Sequence, residues 1–190
     1  MKKLLFTRHR PEVEKLRALI ECQKHRTLVA WVIDCSEPIL AIFESRHASD
    51  ARPRNAVEMA RNWAAGRIKM PIAKQAALAA HRAATEVEDD PAAGAAARAM
   101  GHIVGTVHVE THALGFVIYG LTALVRDAQT EDVDGLIATE CQRLYDRLLY
   151  WERHADDDER VWAAFLLRDD QSNKEKLLHE KEEASGKANR

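Results

Sequence analysis

The sequence predicts an all-α fold: a single-domain bundle of seven to nine helices around a central Ala/Gly/His-rich helix or helix pair. Three observations predict it. Apolar residues recur at spacings of 3 and 4 along most of the chain, and period-2 alternation is scarce. Prolines and a glycine fall where helices should begin and end. Between Gly94 and Gly115, positions spaced 4, 3, 4, 3, 4, 3 are Gly94, Arg98, Gly101, Gly105, His108, His112 and Gly115, while the other faces are alanine and aliphatic. A helix that is apolar almost all round is a buried one. Its glycine, arginine and histidine stripe is therefore expected to face neighbouring chain.

The elements follow in order. Pro11 to about His25 carries Val13, Leu16, Leu19 and Ile20 on one face, and Arg26 to Cys35 continues as a more apolar helix. Glu37-Pro38 interrupts it, with Ser36 as the expected cap of a short helix through Phe43. Asp50-Ala51-Arg52-Pro53-Arg54 reads as a helix start, Ala56, Val57, Ala60, Trp63 and Ala64 form its stripe, and Gly66 stops it. Pro71 to Val87 is a further helix, closed by Glu86, Glu88, Asp89, Asp90 and Pro91. The central segment from Pro91 to about Val125 is one long helix or two joined near Glu110-Thr111. Ile137, Cys141, Leu144, Leu148 and Trp151 mark another helix, and Val161, Trp162, Phe165 and Leu166 a short last one. Residues 1–168 read as one domain. Residues 169–190 read as a charged, flexible tail, either a frayed helix or disordered.

Composition narrows the function. With 190 residues and a net charge of −2, the chain can build a full core and shows no global field that would draw it to nucleic acid. Cys22, Cys35 and Cys141 form no C-x-x-C pair and read as reduced thiols of a cytoplasmic protein. The apolar run Leu4 to Phe6 is too short for a signal peptide. The longest uncharged run, Thr111 to Val125, has 15 residues, short of the roughly 20 that a membrane span needs. Phosphate loops, dinucleotide fingerprints and G-x-S-x-G are absent from the sequence.

Several constellations could still carry chemistry. His108 and His112 at i, i+4 are a structural pair or, if any metal binds, its first two ligands. Arg98 and His102 share the same spacing. If Arg98 is buried it needs a carboxylate, with Asp34, Glu37, Glu44 and Asp50 as candidates. It then belongs either to an interior network or to a cleft, with His81 as a further candidate member. Arg52, Arg54 and Arg61 cluster at a helix N-terminus, where they hold an anion or tie the loop to a neighbouring acidic end. The acidic turns at Glu88, Asp89 and Asp90 and at Asp156, Asp157 and Asp158 are solvated connections or, if they converge, a patch facing a basic partner.

Ordered motifs go further. The run Asp50-x-Arg52-Pro53-Arg54-x-Ala56-x-Glu58-x-Ala60-Arg61-x-Trp63-x-x-Gly66 is followed by four others. These are Ala79-Ala80-His81, Ala95-Ala96-Ala97-Arg98-Ala99-x-Gly101-His102, Thr106-x-His108-Val109 and His112-Ala113-Leu114-Gly115. Together they resemble the Imm-5-like immunity protein family, a helical domain of bacterial toxin systems, from about Leu28 to Ala123. The resemblance implies a small cytoplasmic protein that binds and neutralises a protein toxin, without catalysis and without a cofactor. Homo-oligomers are compatible with it; a membrane or nucleic-acid partner is not expected.

Overall fold

The computed structural model describes residues 5–128, 130–156 and 159–188. Asp157 and Asp158 of the second acidic turn lie outside them. The described residues form helices α1 (Pro11–Glu21), α2 (His25–Asp34), α3 (Glu37–Glu44), α4 (Arg52–Ala64), α5 (Met70–Glu86), α6 (Pro91–His108), α7 (His112–Ala128), α8 (Val133–His154) and α9 (Lys174–Ala188). A 3-10 turn spans Ala164–Leu167. The fold is all-α, as the apolar periodicity predicts.

The central segment is two helices. Pro91 opens α6 where a missing N–H costs nothing, and the Asp90 carboxylate accepts from the Ala93 N–H at 3.1 Å. The alanines from Ala92 to Ala99 then favour the helix intrinsically. Val109 adopts an extended backbone, with φ −156° and ψ 139°, and α6 ends at His108. After three residues α7 returns antiparallel, in a register that pairs Gly105 with His112 and Gly115 with His102 at one end. At the other end Arg126 Nη1 donates to Pro91 O at 3.0 Å in the same register.

Helix α6 packs against α2, α3, α4, α5 and α7. Ala93, Ala96, Ala97 and Ala99 are fully buried, as are Met100, Ile103 and Val107. Fully burying a side chain the size of Ile103 stabilises the fold by about 1.5–3 kcal/mol. Trp31 closes the core, edge-on to Phe116 at 6.3 Å between centroids and donating its indole N–H to Leu144 O at 3.0 Å. Gly66, at φ 71°, follows α4 in the left-handed region that L side chains avoid, in keeping with its expected stop role. Ser36 stands at the N-cap of α3, but its hydroxyl donates back to Ile33 O at 2.7 Å and caps nothing in α3.

In the stretch read as a charged tail, residues 174–188 are helical. Asn173 ties α9 to the end of α1: its Oδ1 accepts from the Glu175 N–H at 2.9 Å, and its Nδ2 donates to Ile20 O and Gln23 O. Among the described residues no helix is long and apolar enough to cross a membrane.

Candidate functional site

The stripe of small and polar residues forms a half-buried face where α5, α6 and α7 meet. Each of three glycines holds one imidazole. A Cβ on Gly101 would stand 2.6 Å from the ring of His81, one on Gly105 would stand 2.6 Å from His112, and one on Gly115 would stand 2.3 Å from His102. The glycines are thus spaces that the rings occupy, as close-packed interiors require. His81 comes from α5, His102 from α6 and His112 from the start of α7, so the cluster joins three helices.

The rings also touch one another. His102 Nδ1 and His112 Nδ1 are 3.1 Å apart, so one ring donates its Nδ1–H to the bare Nδ1 of the other. His81 stands edge-on to His102 at 5.8 Å between centroids, and Tyr119 stacks on His102 at 5.1 Å. Burial lowers all three imidazole pKa values. That of His102 is pulled down to about 3, with repulsion from His112 and His81 adding to burial. His81 is held down by burial and then by the Arg98 charge, and His112 by burial and then by His108. The three rings are therefore neutral at pH 7.

Arg98 lies on the same α6 face, one turn before Gly101 and His102. It is half-buried, and among the described residues it forms no hydrogen bond or ion pair. The candidate carboxylates are engaged elsewhere. Asp34 binds Arg147 and accepts from the Trp151 indole at 2.9 Å. Burial alone would raise its pKa, but those two hydrogen bonds together with the charges of Arg147 and Arg160 outweigh burial and lower it. Glu37 and Glu44 both hold Arg54, and Asp50 holds Arg52.

The other sequence candidates fall apart from this face. Arg52 bridges Asp50 and Glu86, Arg54 bridges Glu37 and Glu44, and Arg61 reaches Glu37 only at 3.8 Å. These arginines tie α4 to its acidic neighbours. His108 is exposed and stacks on Trp63 at 6.2 Å between centroids. It does not form a helical pair with His112, because the helix breaks between them.

Asp90 caps α6 and meets Arg46 and His47, while Asp156 meets Lys24 and Arg26. Lys24 and Arg26 flank His25, whose Nε2 contacts Thr106 O at 2.6 Å near the far end of α6. Asp90 and Asp156 are therefore associated with opposite ends of α6. Glu88 and Asp89 are exposed.

Neither Tyr119 nor the pairing of His102 with His112 stands out in the sequence. The glycine positions are the available signal, since each marks a place where something comes close. Two surface clefts lie elsewhere. One, of about 460 Å3, is lined by Asp34, Arg61, Arg67, Arg160 and Trp162 among others. The other, of about 440 Å3, is lined by Lys24, His25, Glu110, Arg168 and Lys176 among others.

Among the described residues no carboxylate hydrogen-bonds to His81, His102 or His112, and burial pushes the Cys35 thiol up to about 12, in keeping with a core thiol. Among the described residues no group of three or more His, Cys, Asp or Glu could hold a metal ion.

No curated protein and no solved structure matches the chain. A family model does, the one described as Imm-5 like putative immunity protein, over residues 18–147. That stretch runs from α1 into α8, takes in the glycine-seated histidines, Tyr119 and Arg98, and covers more than half of the sequence. The chain therefore belongs to the Imm-5 like family of immunity proteins.

Proposed function

We propose that this chain is a non-catalytic immunity protein that binds a bacterial toxin and neutralises it by direct association. Family membership carries the reading. The α5–α7 face supports it, since the half-buried Arg98 guanidinium has no carboxylate among the described residues and can take one from a partner. A standard protein interface buries roughly 800 Å2 on each partner, a small part of the 10034 Å2 that the chain exposes. The test is co-expression with the product of each gene adjacent to this one, the toxin being the product that arrests growth when expressed alone. Growth protection together with co-purification of the toxin is expected. The absence of both would count against the reading.

A second reading has one observation in its favour. The 3.1 Å between the Nδ1 atoms of His102 and His112 is also close to the spacing of two nitrogen ligands on one metal ion. Stoichiometric zinc, nickel or iron in the purified protein, lost in His102→Ala, would favour a metal site over the hydrogen-bonded pair.

A further inference from the structure

We propose that Arg98, beside His81 and one turn from His102 on the same face, receives the carboxylate of an aspartate or glutamate from the surface of the toxin partner. This rests on the binding reading above and names the chemistry by which the partner is recognised.

Five arginines that hold elements together have carboxylates of their own: Asp34 meets Arg147, Glu37 and Glu44 meet Arg54, Asp50 and Glu86 meet Arg52, Asp90 and Asp127 meet Arg46, and Asp156 and Asp169 meet Arg26. Arg98 contrasts with them all, for it is half-buried and among the described residues has no such partner. A partly desolvated guanidinium forms strong, often bidentate, hydrogen bonds to a carboxylate. The three imidazoles are uncharged at pH 7 and add no positive charge, and two of them, His81 and whichever of His102 and His112 accepts across their shared hydrogen bond, each keep one ring N–H to donate. Their positions are fixed by Gly101, Gly105 and Gly115, which leaves them little freedom to lose on binding.

Shape decides between a protein and a small anion. Neither of the two clefts is lined by Arg98, His81, His102 or His112. Neither cleft therefore encloses these four side chains, and a small ligand needs enclosure. Beside it stand Tyr119, stacked on His102, and Leu78, one turn before His81 on α5 and 46% exposed. An arginine with a tyrosine and an exposed leucine beside it is the composition of a protein-binding hot spot with an apolar edge.

Two measurements test this. In the first, the full chain is titrated with sodium acetate, and separately with sodium chloride at equal ionic strength. The Arg98 Nε–H and the ring signals of His81, His102 and His112 are followed by NMR. Acetate should move them saturably and chloride should not, and R98Q should weaken the acetate effect at least tenfold. Equal responses to both salts, or an R98Q variant that responds as the wild type does, would overturn the proposal.

In the second, affinity for the growth-arresting product of the adjacent gene is compared across wild type, R98Q and R98E, each first checked for helicity and melting temperature. A loss of at least tenfold in R98Q, larger in R98E, supports the proposal. A wild type that binds while R98E binds equally well refutes it. A wild type that binds no toxin refutes the proposed function instead, and the proposal with it, whatever acetate does.

Discussion

The imidazole of His102 rests on the backbone of Gly115, so close that a methyl group at position 115 would stand 2.3 Å from its Nδ1. That atom is also the one facing His112 across 3.1 Å, so a single contact fixes both the α6–α7 packing and the histidine pair.

Replacing Gly115 by alanine sets two effects against each other. Alanine is favoured over glycine inside a helix by about 1 kcal/mol. The added methyl must displace His102 and break its hydrogen bond, at a cost of roughly 1–3 kcal/mol for overpacking. The displaced group is a side chain, so the loss should be moderate: Gly115→Ala should destabilise by about 1 kcal/mol net. In a His102→Ala background the obstacle is gone, and the same substitution should stabilise. Denaturant unfolding of the four variants measures the change of sign. If Gly115→Ala has the same effect in both backgrounds, the ring does not occupy the space.

Arg98 and Arg26 should respond to truncation in opposite ways. Arg26 is 7% exposed and holds both Asp156 and Asp169. Arg26→Ala should therefore cost about 2 kcal/mol, below the 3–5 kcal/mol of fully buried pairs because its partners are half exposed. Arg98 has no ion pair to lose, and Arg98→Ala should stay within about 0.5 kcal/mol of wild type. Sequence alone suggests the reverse for Arg98, because a guanidinium among alanines looks buried and so in need of a carboxylate. Chemical denaturation of both variants is the check, and a loss of several kcal/mol at Arg98 would place it in an interior network.

How far the sequence can be read follows from what each residue's neighbours do. The stripe from Gly94 to Gly115 is legible because glycines at helical spacing announce close approach whatever approaches. The helix boundaries are legible because Pro91, Pro53 and Gly66 act within one turn. Pairing is not. The i, i+4 spacing of His108 and His112 assumes an unbroken helix, and the extended backbone at Val109 sends His108 to Trp63 and His112 to His102. Which acid meets which arginine is equally hidden, since Asp34 finds Arg147 across 113 positions of sequence. The helix at 174–188 is anchored by Asn173 contacts to α1 that local composition does not encode.

Stability should fall in mild acid before the carboxylates titrate. His102, His81, His112 and His25 all have folded-state pKa values lowered chiefly by burial. The unfolded chain takes up protons near pH 6.5 that the folded chain refuses, so stability drops as pH falls from there toward the depressed values. Between about pH 6.5 and 4.5 the depressed carboxylates of Asp34, Asp50 and Asp90 contribute little, because they act only below their unfolded values near 3.9. Unfolding free energy measured from pH 7.5 to 5 should therefore decline, and decline less in His102→Gln. A wild-type profile flat across this window would mean that the rings are solvated.

Glu175 carries the opposite sign and acts at one end of the molecule. Its side chain is fully buried between α9 and α1, and neither carboxylate oxygen has a hydrogen-bond partner among the described residues. Burial pushes its pKa up, and Glu21 and Glu182 add to the shift while Arg8, 3.8 Å away, and Arg17 oppose it. A carboxyl with a raised folded pKa holds its proton more tightly in the docked state. Its contribution is thus intact below the unfolded value and lost as pH rises through the folded one. Helix α9 should loosen from α1 as pH rises, which amide exchange reports as falling protection factors over 174–185, corrected for the intrinsic pH dependence of exchange. Glu175→Gln removes the titration and should leave protection higher than wild type at pH 8 and nearly independent of pH. Since α9 packs against α1 and not against the α6–α7 pair, the change should be local, with α6 and α7 keeping their protection. If Glu175→Gln lowers α9 protection at pH 8, the ion pair with Arg8 outweighs burial and the carboxylate stabilises the docked helix.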